Sequence, residues 1–388
     1  MALRSAAWGG GSTEELNYPD IFLIGAMKAG TTSLYNLITN NTALNATLVV
    51  QPICNFGEKE KHFFVGPEIA KDFKKSLTHY IQEFSGCAAS QQTIDATPGY
   101  SGRRQAEVIA HMKETYTADQ LSKKKFIYVL REPVARLYSE YQMSVRLCLD
   151  LDDDLTRFGG EEDAATKTWR IDRHETACQR LLSAKNYRRF RTEMLKVDYE
   201  DILSFHEWCL TDYGLEETLR GNYRLIIWRF LNNFLARQQL FVLNFDMLIF
   251  NTAFVMQALE RFLGTPSWGS NVTLPAPPRS SNHPKTTLDC TTVEMLEKYY
   301  NVSNAHIYQY IASTSGQKPE SEPAFSSFAS ATPKCVRLAP NDSFASYPID
   351  TWKFSALVQK VQQRQEVKDE KEGFLSSSNR FLRSPKLS

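Results

Sequence analysis

From Asp20 to Asn40 the chain passes through an apolar stretch, a loop containing glycine and threonine, and the start of a helix, a succession that restricts it to few folds. Ile21–Ile24 is short, apolar and partly β-branched, as suits a strand buried on both faces, and it stops at Gly25. After the loop, Leu34, Leu37 and Ile38 fall at i, i+3 and i+4, which predicts a helix opening at Ser33. Strand, loop and helix start together make a phosphate cradle, because the first helical turn offers N–H groups and the positive end of its dipole. Gly25 and Gly30 let the backbone come close to an anion, while Lys28, Thr31 and Thr32 add a charge and hydroxyl donors. The plainer alternative is a left-handed turn ahead of an ordinary helix.

A second turn of the same kind lies further on. Phe126–Leu130 is a wholly apolar strand that ends at Arg131-Glu132-Pro133, after which Val134, Leu137, Tyr138 and Tyr141 are spaced for a helix. A magnesium-dependent nucleotidase would usually place an aspartate at such a strand end. Here an arginine stands there, and Ser139 follows eight residues later, so both can reach one phosphate, the arginine as a bidentate fork and the serine as a hydroxyl donor. The rival reading is a surface turn in which Arg131 pairs with Glu132. Two phosphate sites on strand-to-helix turns of a parallel sheet suit a bisphosphorylated nucleotide lying across the C-terminal edge of the strands. The first loop is not a Walker A loop: it lacks the Gly-Lys-Ser/Thr ending, and its lysine precedes the second glycine by two residues.

Gly25-Ala26-Met27-Lys28-Ala29-Gly30-Thr31-Thr32-Ser33-Leu34 resembles the 5′-phosphosulfate loop of sulfotransferases that use 3′-phosphoadenosine 5′-phosphosulfate (PAPS). Arg131 through Tyr141 resembles their 3′-phosphate motif, Arg-Glu-Pro-X-X-Arg-X-X-Ser-X-Tyr. The resemblance implies an α/β fold of P-loop type, a mostly parallel sheet with helices on both faces in a single sulfotransferase domain. It puts Lys28, Ala29, Gly30, Thr31, Thr32 and Ser33 around the 5′-phosphosulfate, and Arg131 and Ser139 on the 3′-phosphate. PAPS is then the co-substrate, with no metal required.

By itself, Asn55–Phe64 reads as a solvated turn running into buried phenylalanines. Lys59-Glu60-Lys61-His62-Phe63-Phe64 also resembles the Glu-X-His-Phe-Phe segment of the Golgi heparan and chondroitin sulfate sulfotransferases. That likeness makes Glu60 the base for the acceptor hydroxyl and His62 its orienting or acceptor-contacting neighbour, with Glu58 as the nearest competitor for the base. Val65 and Ala96 stand where several heparan enzymes have Asp and Lys. The charge missing at Ala96 is expected from Arg103 or Arg104, or the acceptor is less anionic. A late loop, Pro275 to Lys285, corresponds to the family's nucleotide-covering loop and offers Arg279 and Lys285 for the 3′-phosphate. His174 is a further candidate for acceptor contact.

The implied reaction is transfer of the sulfuryl group from PAPS to a hydroxyl of a carbohydrate, glycosaminoglycan-like acceptor. The alternatives are a sulfotransferase of a small hydroxyl compound or lipid, a P-loop kinase, and a nucleotide-binding module without catalysis. Residues 1–17 read as an unstructured lead-in, 18–315 as the domain and 316–388 as a mostly unstructured tail with room for one short helix.

A formal net charge of +1 gives no general attraction to polyanions, and no nucleic-acid partner is expected. No apolar run reaches the roughly 20 residues of a membrane span, so no transmembrane segment is expected in this chain. The seven cysteines lack metal-ligand spacing; they suit a reduced cytosolic enzyme or one to three disulfides in a secretory compartment. Five Asn-X-Ser/Thr sequons, at Asn40, Asn45, Asn271, Asn301 and Asn341, point toward a glycoprotein of the Golgi lumen. Such enzymes usually carry an N-terminal anchor, so the expected place is the Golgi lumen if the given chain lacks its natural start, and the cytoplasm otherwise.

Overall fold

The computed structural model describes residues 18–39, 53–54, 58–65, 73–88, 90–149, 174–193, 197, 199–233, 235–265, 288–314, 335, 354 and 356–364. Its strands are β1 (Ile21–Gly25), β2 (Ile53–Cys54), β3 (Gln92–Asp95), β4 (Lys125–Leu130) and β5 (Leu240–Asn244). They lie in the order β2-β3-β1-β4-β5, and every neighbouring pair is parallel. All five residues of β1 are buried, which requires both faces of the sheet to be covered, since successive side chains point to opposite faces. This is the expected α/β architecture.

The helices come in chain order as α1 (Thr31–Thr39), α2 (Phe73–Gln82), α3 (Gln105–Thr115), α4 (Ala118–Lys123), α5 (Pro133–Cys148) and α6 (174–181). There follow α7 (Ala184–Glu193), α8 (Phe205–Cys209), α9 (Asp212–Leu219), α10 (Tyr223–Asn233), α11 (Phe245–Phe250), α12 (Thr252–Leu263), α13 (Cys290–Thr314) and α14 (356–364). Their ends obey local rules. Pro133 opens α5 at a position where its missing N–H costs nothing, and Gly264 closes α12 in the left-handed conformation.

Two apolar cores result. One surrounds the sheet and joins β1, β3 and β4 to α1, α3, α10 and α12. The other is helical: it packs Val134, Leu137 and Tyr141 of α5 against α6, α8, α9 and α13. Residues beyond 315 enter that second core. Phe354, Val358 and Val361 are buried in it, and the Phe354 ring meets Tyr299 of α13 edge-on at 5.9 Å.

Six of the seven cysteines are paired, as Cys54–Cys87, Cys148–Cys178 and Cys290–Cys335, and Cys209 is free and buried. These three pairs fall within the one to three disulfides of the second expectation. Among the described residues no helix is long and apolar enough to cross a membrane.

Candidate active site

β1 and β4 are adjacent and parallel, with Ile21 opposite Lys125 and Gly25 opposite Tyr128, so the turns that follow them emerge side by side. A register shift between Leu23 and Gly25 turns the end of β1 just before its loop. β3 flanks β1 on its other side. Three strand ends thus deliver three loops to one edge.

In the loop after β1, Gly30 has φ +83°, and a Cβ there would overlap the Phe245 ring, so only glycine fits. Lys28 is left-handed too, at φ 65°. Its carbonyl accepts a hydrogen bond from Arg131 Nη1 at 2.8 Å, and its ammonium rests 3.4 Å from Met143 Sδ on α5. α1 begins at Thr31, and its first i to i−4 bond is made by Leu34 N–H, leaving the N–H groups of the preceding turn available to an anion.

At the turn after β4, the Glu132 carboxylate accepts from the backbone N–H groups of Val134 and Ala135 and caps α5. Glu132 therefore serves the helix, and the rival surface pairing with Arg131 is not what forms. Arg131 lies across the Phe245 ring at 5.4 Å, and the Tyr223 hydroxyl donates to its carbonyl at 2.7 Å. Burial holds the Arg131 guanidinium below its usual pKa, an electrostatic cost that a phosphate would relieve.

The segment after β2 is fastened to α2 and to the loop after β3 by aromatic packing. Phe63 stacks on Tyr80 at 4.2 Å, and Phe64 meets Tyr100 at 5.4 Å. Buried Asp95 accepts from the hydroxyls of Tyr80, Tyr100 and Thr97 at 2.8, 2.6 and 2.6 Å. Burial raises the pKa of Asp95, and these three donors oppose the shift. Thr97 Oγ1 in turn accepts from His62 N–H at 3.2 Å, and Lys59 carbonyl accepts from Ala96 N–H at 3.3 Å. The segment bearing Glu60 is thereby pinned to the end of β3. Lys59 Nζ bridges Glu60 Oε1, at 2.8 Å, and Thr32 Oγ1, at 3.2 Å, while His62 Nε2 lies 3.4 Å from Glu60 Oε2. His62 and Lys28 are the non-glycine residues with positive φ among those described, and strain of this kind gathers at functional sites.

Lys28, Gly30, Thr31, Thr32, Glu60, Arg131 and Ser139 all line one cleft of about 800 Å³, a volume suited to a nucleotide with part of an acceptor. Ala29 is buried beneath the loop, and Ser33 lies in the first turn of α1 without lining the cleft. His62 flanks Glu60, and Glu58 does not reach the lining. Arg279 and Lys285 fall outside the described residues.

Of the two arginines expected to replace the charge at Ala96, Arg103 lines the cleft, paired through Nε with Glu216 at 2.9 Å. Arg104 turns away to donate to Val65 carbonyl at 2.9 Å. His174 does not line the cleft either; its Nε2 sits 2.9 Å from Cys148 carbonyl, a structural contact.

The cleft also holds residues that the sequence reading passed over. Arg220, half of an ion pair with Glu217 at 3.1 Å, reaches Met27 Sδ at 3.3 Å in the first loop. Glu140 is buried beside Ser139, and Tyr213 and Arg180 complete that wall. Burial raises the pKa of Glu140, with neighbouring Glu217 adding to the shift. Glu140 stands at a variable position of the second motif, and the others arrive through helix packing, so none carried a local signal.

Residues 18–286 match the family described as Sulfotransferase domain. A comparison with curated proteins finds no match. Sixteen chains of solved structures match. One is the crystal structure of a sulfotransferase from Alicyclobacillus acidocaldarius, with 19% identity and a TM-score of 0.44 over 76% of this chain and 96% of the other.

Proposed function

Since this chain belongs to the sulfotransferase-domain family, we propose that it transfers the sulfuryl group of PAPS to a hydroxyl of a carbohydrate, glycosaminoglycan-like acceptor. The observation that carries this reading is the convergence of Lys28, Arg131, Ser139 and Glu60 on one cleft. The first loop and the α1 N-terminus take the 5′-phosphosulfate, and Arg131 and Ser139 take the 3′-phosphate. Such a pair of grips spans one nucleotide and leaves its sulfuryl end beside Glu60.

In the reaction the acceptor oxygen attacks sulfur in line, and the bond from sulfur to the bridging phosphate oxygen breaks. Glu60 accepts the hydroxyl proton. Lys28 Nζ, the hydroxyls of Thr31 and Thr32 and the loop N–H groups stabilise the charge that grows on the departing phosphate oxygen. The products are a sulfate ester and 3′-phosphoadenosine 5′-phosphate. No step calls for a metal.

The resemblance of Lys59–Phe64 to the carbohydrate enzymes supports a sugar acceptor, and a small hydroxyl compound or lipid is the alternative. Three disulfides support a working place in the secretory pathway, with the Golgi lumen as the proposed compartment.

The test is a mass-spectrometric screen in which the full chain is given PAPS, a chelator, and a panel of glycans, phenols, alcohols and sterols. Sulfate on glycans supports the proposal, and sulfate only on small compounds or lipids replaces its acceptor. Absence of transfer to every member would refute the reaction.

A further inference from the structure

The nucleotide reading leaves part of the cleft's positive charge without a task. Lys28 and Arg131 belong to the two phosphate grips. Arg103 is matched by Glu216 and Arg220 by Glu217, at 2.9 and 3.1 Å. Arg180 is different. Its Cζ lies 4.2 Å from the centroid of the Tyr213 ring, its Nη1 donates to the Tyr213 hydroxyl at 3.0 Å, and among the described residues no carboxylate pairs with it.

A guanidinium stacked on a ring is held flat, so its remaining N–H groups are fixed before any ligand arrives. The backbone beneath it is fixed as well. Arg180 sits two residues after Cys178, and the Cys148–Cys178 disulfide ties α6 to the end of α5. The acid of this wall is Glu140, whose Oε1 lies 3.5 Å from the Tyr213 hydroxyl. Burial and then Glu217 push its pKa up, and Arg220, Arg136 and Lys28 oppose that shift. An oriented cation that no described carboxylate pairs, facing an open cleft on elements separate from both phosphate grips, is a receptor for an oxyanion.

We infer that Arg180 binds an acidic group of the acceptor, a carboxylate or sulfate ester on a sugar near the reacting hydroxyl, and so determines acceptor specificity. The inference rests on the sulfotransferase reading for the presence of an acceptor, but its test does not depend on turnover.

The full chain, loaded with 3′-phosphoadenosine 5′-phosphate, is titrated calorimetrically with three chondroitin hexasaccharides: unsulfated with its carboxylates, carboxyl-reduced with sulfate esters, and carboxyl-reduced without sulfate. The neutral probe is expected to bind at least about tenfold more weakly than one or both acidic probes, the scale of a charged hydrogen bond. Whichever acidic probe binds better identifies the group that is read. Arg180→Ala is expected to erase the gap while leaving affinity for the nucleotide unchanged, which also reports that the variant is folded. Tyr213→Phe, which keeps the ring and loses the hydroxyl, is expected to narrow the gap without erasing it. The inference is overturned if the wild-type chain does not distinguish the probes, if the gap survives Arg180→Ala, or if that variant instead loses nucleotide affinity. A clear gap without sulfate transfer to any acceptor would retain the oxyanion receptor and discard the reaction.

Discussion

Arg131 Nη1 donates to the carbonyl oxygen of Lys28 at 2.8 Å, so the turn after β4 braces the turn after β1. The brace acts on a residue already in the left-handed region, where a lysine gains nothing from its own backbone preference. Arg131→Ala should therefore remove a phosphate ligand and loosen Lys28 together. Affinity for 3′-phosphoadenosine 5′-phosphate is expected to fall by about 10- to 100-fold. Lys28→Ala is expected to lower kcat by at least ~10²-fold, the scale of one transition-state donor. Because the residues are in contact, the double variant should lose less than the product of the single losses. Strictly multiplicative losses in a kinetic cycle would contradict the brace.

Glu60→Gln keeps an amide within reach of Lys59 but cannot accept a proton. Turnover is expected to drop by about 10²- to 10⁴-fold while nucleotide affinity stays near its original value. Steady-state kinetics at saturating PAPS beside a nucleotide titration separates the two quantities. Unchanged turnover would move the base elsewhere.

Glu132 gives a pH signature. Burial raises its pKa to about 7 against an ordinary 4.5, even though two backbone N–H groups favour its ionised form. The folded protein thus binds a proton that the unfolded chain has already released between those values, so stability falls as pH rises through that window. The full shift corresponds to roughly 3 kcal/mol. Thermal unfolding from pH 4 to 8 should show a decline that Glu132→Gln flattens. A parallel decline in the variant would assign the slope to other groups.

Gly30→Ala adds a Cβ where the Phe245 ring sits, at a φ that disfavours any side chain. The left-handed cost alone is about 1–2 kcal/mol, and the overlap adds to it. A lowered Tm and weakened nucleotide binding are expected. Phe245→Ala in the same chain should relieve the overlap but not the backbone cost, so recovery should be partial. Full recovery would mean that the conformation of residue 30 is not constrained.

The Cys148–Cys178 bond closes a loop over a sequence separation of 30. Replacing both cysteines by serine should destabilise the protein by about 3 kcal/mol. If α6 carries the acceptor wall, KM for the acceptor should rise more than KM for PAPS. Equal changes in both would assign the bond a purely structural role.

The two strand-to-helix turns were legible because their information is local. A short apolar run that stops at glycine or arginine, with helical spacing resuming a few residues later, encodes strand end and helix start within a dozen residues. The burial of the two phenylalanines after Glu60 was legible too, and their packing against Tyr80 and Tyr100 fixes the segment that brings Glu60 to the cleft. Arg180, Tyr213 and Arg220 carry no such mark. They reach the cleft only because α6 and α9 pack on α5, and nothing in the spacing of Cys148 and Cys178 announces that they pair. The choice between Arg103 and Arg104 was equally out of reach, since adjacent residues differ only in the direction that the turn after β3 gives them.

The late docking of α14 bears on how the chain is made. The five described strands have all been synthesised once Asn244 has emerged, but the helical core gains Phe354, Val358 and Val361 only later, after Cys335 has become available to Cys290. Without those residues Tyr299 would lose the cover of Phe354, leaving part of the helical core's apolar surface unpacked. A stop codon shortly after residue 315 would make that condition permanent.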